Sequence, residues 1–83
     1  MSKKEGGVKM NQSQYQALRD ALVESAANRA DYFVSRYALS DVDAAEVRED
    51  FRFSAVLYSD DVRMGNSSVR QAFDNVASLM PVL

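Results

Sequence analysis

The sequence contains no cysteine and no histidine among its 83 residues. The absence of cysteine excludes disulfides, thiolate zinc sites and thiol nucleophiles. The absence of histidine removes the commonest metal ligand and the usual proton shuttle at neutral pH. A core of this size contributes only roughly 3–5 kcal/mol net, so small domains need a further source of stability. Association with another chain is the source of stability that the composition leaves open. We expect no enzyme activity, no metal site and no cofactor.

Long apolar runs are also missing, and lysine is confined to the start of the chain. No stretch of apolar residues is long enough to cross a membrane, and no apolar signal segment follows the first lysines. We therefore expect a cytoplasmic protein with no membrane partner. Residues 1–10 carry a net charge of +2, whereas the remainder has seven arginines against eleven acids, a net charge of −4. An acidic body favours basic partners and disfavours nucleic acid.

Residues 1–10 have no hydrophobic periodicity and include the pair Gly6-Gly7. Such a segment is typical of a flexible arm, either an upstream extension or an engineered remnant. We predict that residues 11–83 form one helical domain.

The first predicted helix spans residues 13–38, which contain neither glycine nor proline. Ser13 and Gln16 have the spacing of a capping box. Apolar side chains recur at intervals of three or four residues, which is helical spacing, at Tyr15, Leu18, Leu22, Ala26, Ala30, Phe33 and Tyr37.

The second predicted helix spans residues 41–58, with Ser40 as its N-terminal cap. It has two apolar faces, which predicts that it lies between two other helices: Val42, Phe53, Val56 and Leu57 on one, and Val47, Phe51, Ala55 and Tyr58 on the other. Residues 51–58 also alternate as a strand does, so an α+β fold is the alternative. Residues 59–67 resemble a connection because they include Gly65-Asn66.

The third predicted helix spans residues 68–80, with Ser68 and Gln71 at its start and Pro81 after its end. The fold prediction is therefore all-α, a small three-helix domain with a long N-terminal helix.

A second apolar row accompanies the first on helix one, and we predict it as an oligomer interface: Val23, Ala27, Val34 and Ala38. From the main stripe, Leu18, Leu22, Phe33 and Tyr37 are predicted anchors for a partner.

Tyr32 falls on the polar side of helix one, and an exposed aromatic is a contact signal. Acidic residues concentrated between positions 41 and 61 would steer a partner with a basic surface. The candidate protein-binding residues are Tyr32, Asp41, Asp43, Glu46, Glu49, Asp50, Asp60 and Asp61.

The segment from Asp61 to Phe73 vaguely resembles the turn and recognition helix of a helix-turn-helix. Under this alternative, the residues that contact DNA would be Ser68, Arg70, Gln71 and Asn75. Asp61 stands where a small packed residue is normally needed, and the acidic surroundings repel phosphate.

The preferred hypothesis is a small regulatory or accessory protein, an inhibitor or adaptor of the phage or plasmid type, that acts by protein–protein contact. A homodimer is a further expectation. The alternatives are the DNA-binding protein and a purely structural homo-oligomerisation module.

Overall fold

Long stretches without glycine or proline form the two main helices of the protein. The computed structural model describes residues 10–82. Within them lie three helices and no strand: α1 (Gln12–Arg36), α2 (Asp41–Arg63) and α3 (Val69–Ala77). The all-α prediction is confirmed, and residues 51–58 are helical, so the strand alternative is wrong. Residues 1–9 of the predicted arm lie outside the described residues, whereas Met10 packs against the core.

Each helix begins at a residue whose side chain accepts a backbone hydrogen bond from the first turn. The capping box of α1 is formed by Asn11 and Gln14, with Asn11 Oδ1 accepting from the Gln14 amide at 2.8 Å. The predicted box at Ser13 is therefore wrong by two residues, since asparagine caps a helix as well as serine does. The predicted caps of the other helices are correct: Ser40 accepts from the Asp43 amide, and Ser68 from the Gln71 amide.

The two long helices end in the same type of motif, with a left-handed residue just beyond the C-cap. At the end of α1 this residue is Ala38, with φ of 49°. At the end of α2 it is Gly65, with φ of 82°. In each case the following amide bonds back to the last turn, Leu39 to the Val34 carbonyl at 3.1 Å and Asn66 to the Asp61 carbonyl at 2.8 Å. This hydrogen-bond pattern is that of a Schellman motif.

The observed C-termini differ from the predicted ones. α1 ends at Arg36 because Ala38 leaves the helix, although no glycine marks that position. α2 continues to Arg63 through the predicted connection. Ser59 is fully buried there, and its hydroxyl donates to the Val56 carbonyl at 2.7 Å. Because the Ser59 hydroxyl is hydrogen-bonded within α2, this small side chain can pack against the neighbouring helices. The polar composition of the segment therefore does not indicate a loop.

α1 and α2 pack antiparallel, with Tyr15 beside Asp60 at one end and Phe33 against Phe51 near the other. The Phe33 and Phe51 rings meet edge to face, with centroids 6.1 Å apart. α3 contacts both long helices through the fully buried Ala72 and Val76. Six of the seven side chains in the predicted stripe of helix one are buried; the exception, Tyr37, caps α1 and is 51% exposed.

Candidate protein-interaction surface

α2 carries apolar side chains on two opposite sides, and within residues 10–82 one side is buried against the other helices while the other is exposed. The inner face is buried against α1 and α3 and consists of Ala44, Val47, Phe51, Ala55, Ser59 and Val62. On the opposite side lies the outer stripe, defined as Val42, Phe53, Leu57 and Met64, whose exposed fractions are 71%, 61%, 47% and 66%. The prediction that α2 lies between two helices is therefore wrong for this side.

The outer stripe is contiguous at its centre and is interrupted by acidic residues towards both ends. Phe53 and Leu57 are one turn apart, and Met64 lies two turns further along the same side. The half-buried Val56 extends the apolar surface next to them. Large contiguous apolar patches on a protein surface commonly mark interaction sites, whereas scattered single residues do not. The outer stripe therefore qualifies as a candidate contact site.

An open groove, here named the trough, runs beside the outer stripe between α2 and the C-terminal segment 79–82. Its lining includes the inner-face residues Val47 and Phe51 together with Leu79. The exposed side chains of Phe53 and Met80 stand at one end. The trough and the outer stripe share Phe53, so the two form one surface.

Arg29 of α1 holds the C-terminal segment in place against the helices. Its Nε donates to the Leu79 carbonyl at 2.7 Å, and its Nη2 lies 3.6 Å from Met80 Sδ. The guanidinium also lies over the Phe33 ring, 4.9 Å from the ring centroid. Arg29 thus contacts both the core, at Phe33, and the C-terminal segment that forms one wall of the trough.

The negative charge of the folded part resides on α2. This helix has seven acids against three arginines, a net charge of −4, while α1 has three of each and α3 has one of each. Two of the arginines are directed at α1: Arg48 Nε bonds Asp31 Oδ1 at 3.0 Å, and Arg63 lies 4.7 Å from the Tyr15 ring centroid. Within residues 10–82, the ion pair that joins α2 to α1 therefore uses an arginine of α2 and none of its seven acids.

The predicted acidic residues divide into three groups. Asp43, Glu46 and Asp50 line the trough together. Asp41 lies in the first turn of α2, and Glu49 is exposed nearby, on the side of the outer stripe. Asp60 and Asp61 are half-buried at the other end of the helix. The structure therefore brings three of the seven candidate acids into one site.

Asp60 has a structural role, because its carboxylate accepts a short hydrogen bond from the Tyr15 hydroxyl. Tyr15 is only 6% exposed, so this contact anchors the start of α1 to the end of α2. A substitution at Asp60 would change stability as well as any partner contact.

Tyr32 is 56% exposed and lies on α1, where its ring meets Phe33 edge to face at 5.1 Å. Three of the predicted apolar anchors, Leu18, Leu22 and Phe33, are buried in the core. They cannot reach a partner, and that prediction is wrong. The fourth anchor, Tyr37, is exposed and stacks on Phe33.

The predicted oligomer row does not form one uniform surface. Val23 and Val34 are half-buried, and Val23 packs against the core. Ala27 is exposed on α1, whereas Ala38 lies beyond the end of the helix in the left-handed conformation. The larger exposed apolar surface is on α2.

The residues of the DNA-binding alternative lie at the start and on one side of α3. Ser68 Oγ accepts from the Gln71 amide at 3.0 Å, so this oxygen is engaged in capping. Arg70 and Gln71 are exposed and Asn75 is half-buried. Asp74 lies one turn from Arg70 and reduces the positive potential of this nine-residue helix.

A signal in the sequence could have identified the outer stripe. Glu46 and Glu49 fall on the same side of α2 as Val42 and Phe53, since successive residues are about 100° apart. Carboxylates are almost never buried unless they are paired. A side that alternates large apolar residues with unpaired acids is therefore a solvent-facing one.

Residues 10–82 offer no candidate for a cluster of metal ligands or for a membrane-spanning helix. Within residues 10–82, no three acidic side chains converge as metal ligands would. None of the helices in this range combines the length and hydropathy needed to cross a bilayer.

Comparison of the chain with protein-family models, with curated proteins and with solved structures found no match.

Proposed function

We propose that this protein is a non-enzymatic regulatory or accessory protein that acts by binding another protein through the outer stripe of α2. The observation that supports the proposal is the exposure of Phe53 and Leu57 on the side of α2 opposite the core. Burial of a large apolar side chain stabilises a contact by roughly 1.5–3 kcal/mol. Aromatic residues at the centre of an interface are the commonest energetic anchors. Phe53 fits this role by its position within the stripe.

The energetic requirements of association define how large the contact must be. Loss of translational and rotational freedom opposes binding by about 4–15 kcal/mol. The two central residues of the stripe cannot offset the upper part of that range. A stable complex must therefore extend along the helix to Met64, or sideways into the trough.

The proposal is tested by site-specific photo-crosslinking in the native cell. A benzophenone-bearing phenylalanine analogue replaces Phe53 in one variant and the exposed Glu24 on the outward side of α1 in the control. We expect one covalent adduct with a different protein from position 53 and none from position 24. A second substitution, Leu57→Asp, should abolish the adduct while the circular dichroism spectrum remains helical. Equal adducts from both positions, or none from position 53, would refute the proposal.

A homodimer is the second candidate, because an exposed apolar stripe also suits a second copy. In that case, the adduct from position 53 would have twice the mass of the chain and would form with purified protein. Light scattering of the purified protein then reports a dimer, and Leu57→Asp would convert it to a monomer.

A further inference from the structure

We infer that the trough binds a basic amphipathic helix of a partner protein, an inference that rests on the proposed function and specifies its partner. The trough joins the outer stripe at Phe53 and so continues the same contact surface. Val47 and Phe51 form its floor and are nearly buried. The apolar surface that a partner can reach is that of the exposed Phe53, Met80 and Val82 at its rim. An apolar groove of this kind is filled by the apolar side of a helix.

The charges along the trough define the polar side of the occupant. Asp43, Glu46 and Asp50 follow one another at intervals of three and four residues, so their carboxylates lie one above another along α2. Each interval spans one helical turn, about 5 Å. Lysine or arginine at the same spacing on an adjacent helix would face all three. No arginine of residues 10–82 makes an ion pair with these acids.

The three helices of a second copy do not match the trough. α1 and α3 have no net charge, and α2 would place its seven acids against the acids of the first copy. Like charges placed opposite each other in an interface oppose association. A phosphate-rich surface, whether of nucleic acid or of an anionic membrane, would be repelled for the same reason. Charge complementarity therefore favours a cationic protein helix.

The test uses a synthetic probe, an 18-residue peptide with leucines at helical spacing and lysines on both flanks of the leucine stripe. One control peptide has the same composition in an order that removes the amphipathic pattern. Another has glutamate in place of lysine. Fluorescence anisotropy with the full-length protein measures the affinity of each. We expect the lysine peptide to bind, with an affinity that falls as salt is raised, and neither control to bind.

Two charge-reversed variants locate the binding site. Glu46→Lys combined with Asp50→Lys should weaken the lysine peptide about tenfold or more, since two favourable charge contacts become repulsive. The matched control, Asp20→Lys combined with Glu24→Lys, changes the net charge equally but on the exposed side of α1. It should have little effect on the affinity. Two results would overturn the inference. One is an equal loss of affinity in both variants, and the other is binding of either control peptide as tight as that of the lysine peptide.

The peptide experiment and the crosslinking experiment test the two proposals separately, so that one proposal can be refuted while the other stands. An adduct from position 53 whose attached partner segment is not a basic amphipathic helix would overturn the inference and leave the proposed function intact. Peptide binding that is unaffected by Phe53→Ser and by the charge reversal in the trough would also overturn it. Failure of both experiments would refute both proposals.

Discussion

The inner and outer faces of α2 both carry large apolar side chains, but the inner face is buried in the core and the outer face is exposed to solvent. Phe51 and Phe53 are two residues apart on the same helix, yet the first is 2% exposed and the second 61%. The difference lies in the side chains that accompany them. The inner face contains no charged residue, whereas Glu46 and Glu49 share the side of Phe53. Acidic neighbours, rather than the number of apolar residues, therefore distinguish the exposed face of α2 from the face that forms the core.

The largest expected effect comes from removing the aromatic ring on the inner face. Phe51→Ala should destabilise the fold by about 3–5 kcal/mol, because it creates a cavity against Phe33. This cost is comparable with the whole stability expected of a domain of this size. Urea denaturation followed by circular dichroism measures the change. Phe51→Leu, which nearly conserves volume, should cost less than about 1.5 kcal/mol. Equal stability of Phe51→Ala and wild type would show that the inner face is not the core.

The packing of α1 could be predicted from the sequence because its apolar residues recur on a single stripe without interruption. From Tyr15 to Phe33, every residue of the stripe is buried. The N-terminal caps of α2 and α3 were equally predictable, since Ser40 and Ser68 each precede a helical pattern. Local chemistry specifies these features, so the rest of the fold is not needed to find them.

The extent of α2 could not be predicted in the same way. Ser59 and Asp60 are residue types that are common in turns. Ser59, however, is fully buried, and Asp60 accepts a hydrogen bond from Tyr15. These contacts are tertiary and lie between distant parts of the chain. Ala38 likewise takes a left-handed conformation that local preference would assign to glycine. At Ser59 and Asp60, tertiary contacts outweigh the local preference, and after Ala38 the next residue, Leu39, packs against the core.

The second prediction concerns Asp60, whose carboxylate accepts a hydrogen bond from the buried Tyr15. Tyr15→Phe retains the ring beneath Arg63 and removes only the hydroxyl that donates to Asp60. We expect a loss of about 1–2 kcal/mol, as for a hydrogen bond to a charged acceptor that is partly exposed. Asp61→Asn is the matched control and should change stability by less than about 0.5 kcal/mol. Thermal denaturation distinguishes them, and equal effects would remove the distinction between Asp60 and Asp61.

The third prediction uses the two left-handed residues that end the long helices. Gly65→Ala should destabilise the protein by about 0.5–1 kcal/mol, because alanine is strained at positive φ. Apart from the neighbouring residues in the chain, a Cβ at this position would meet no described atom within 4 Å, so the strain is confined to the local backbone. Ala38→Gly should stabilise by a similar amount, about 0.5–1 kcal/mol, through relief of the same strain. Chemical denaturation measures both, and changes of the same sign would contradict the conformations described.

The smallest effect on stability is expected at the outer stripe, where it completes the comparison with Phe51. Phe53→Ser should change the free energy of unfolding by less than about 0.5 kcal/mol, since the ring is mostly in water before and after unfolding. The same substitution removes an exposed aromatic and should raise the protein concentration at which aggregation begins, which light scattering measures. If Phe53→Ser were as destabilising as Phe51→Ala, the outer stripe would be part of the core. A small change in stability combined with loss of the crosslinked partner would mean that the two faces of α2 have separate roles, one in folding and the other in binding.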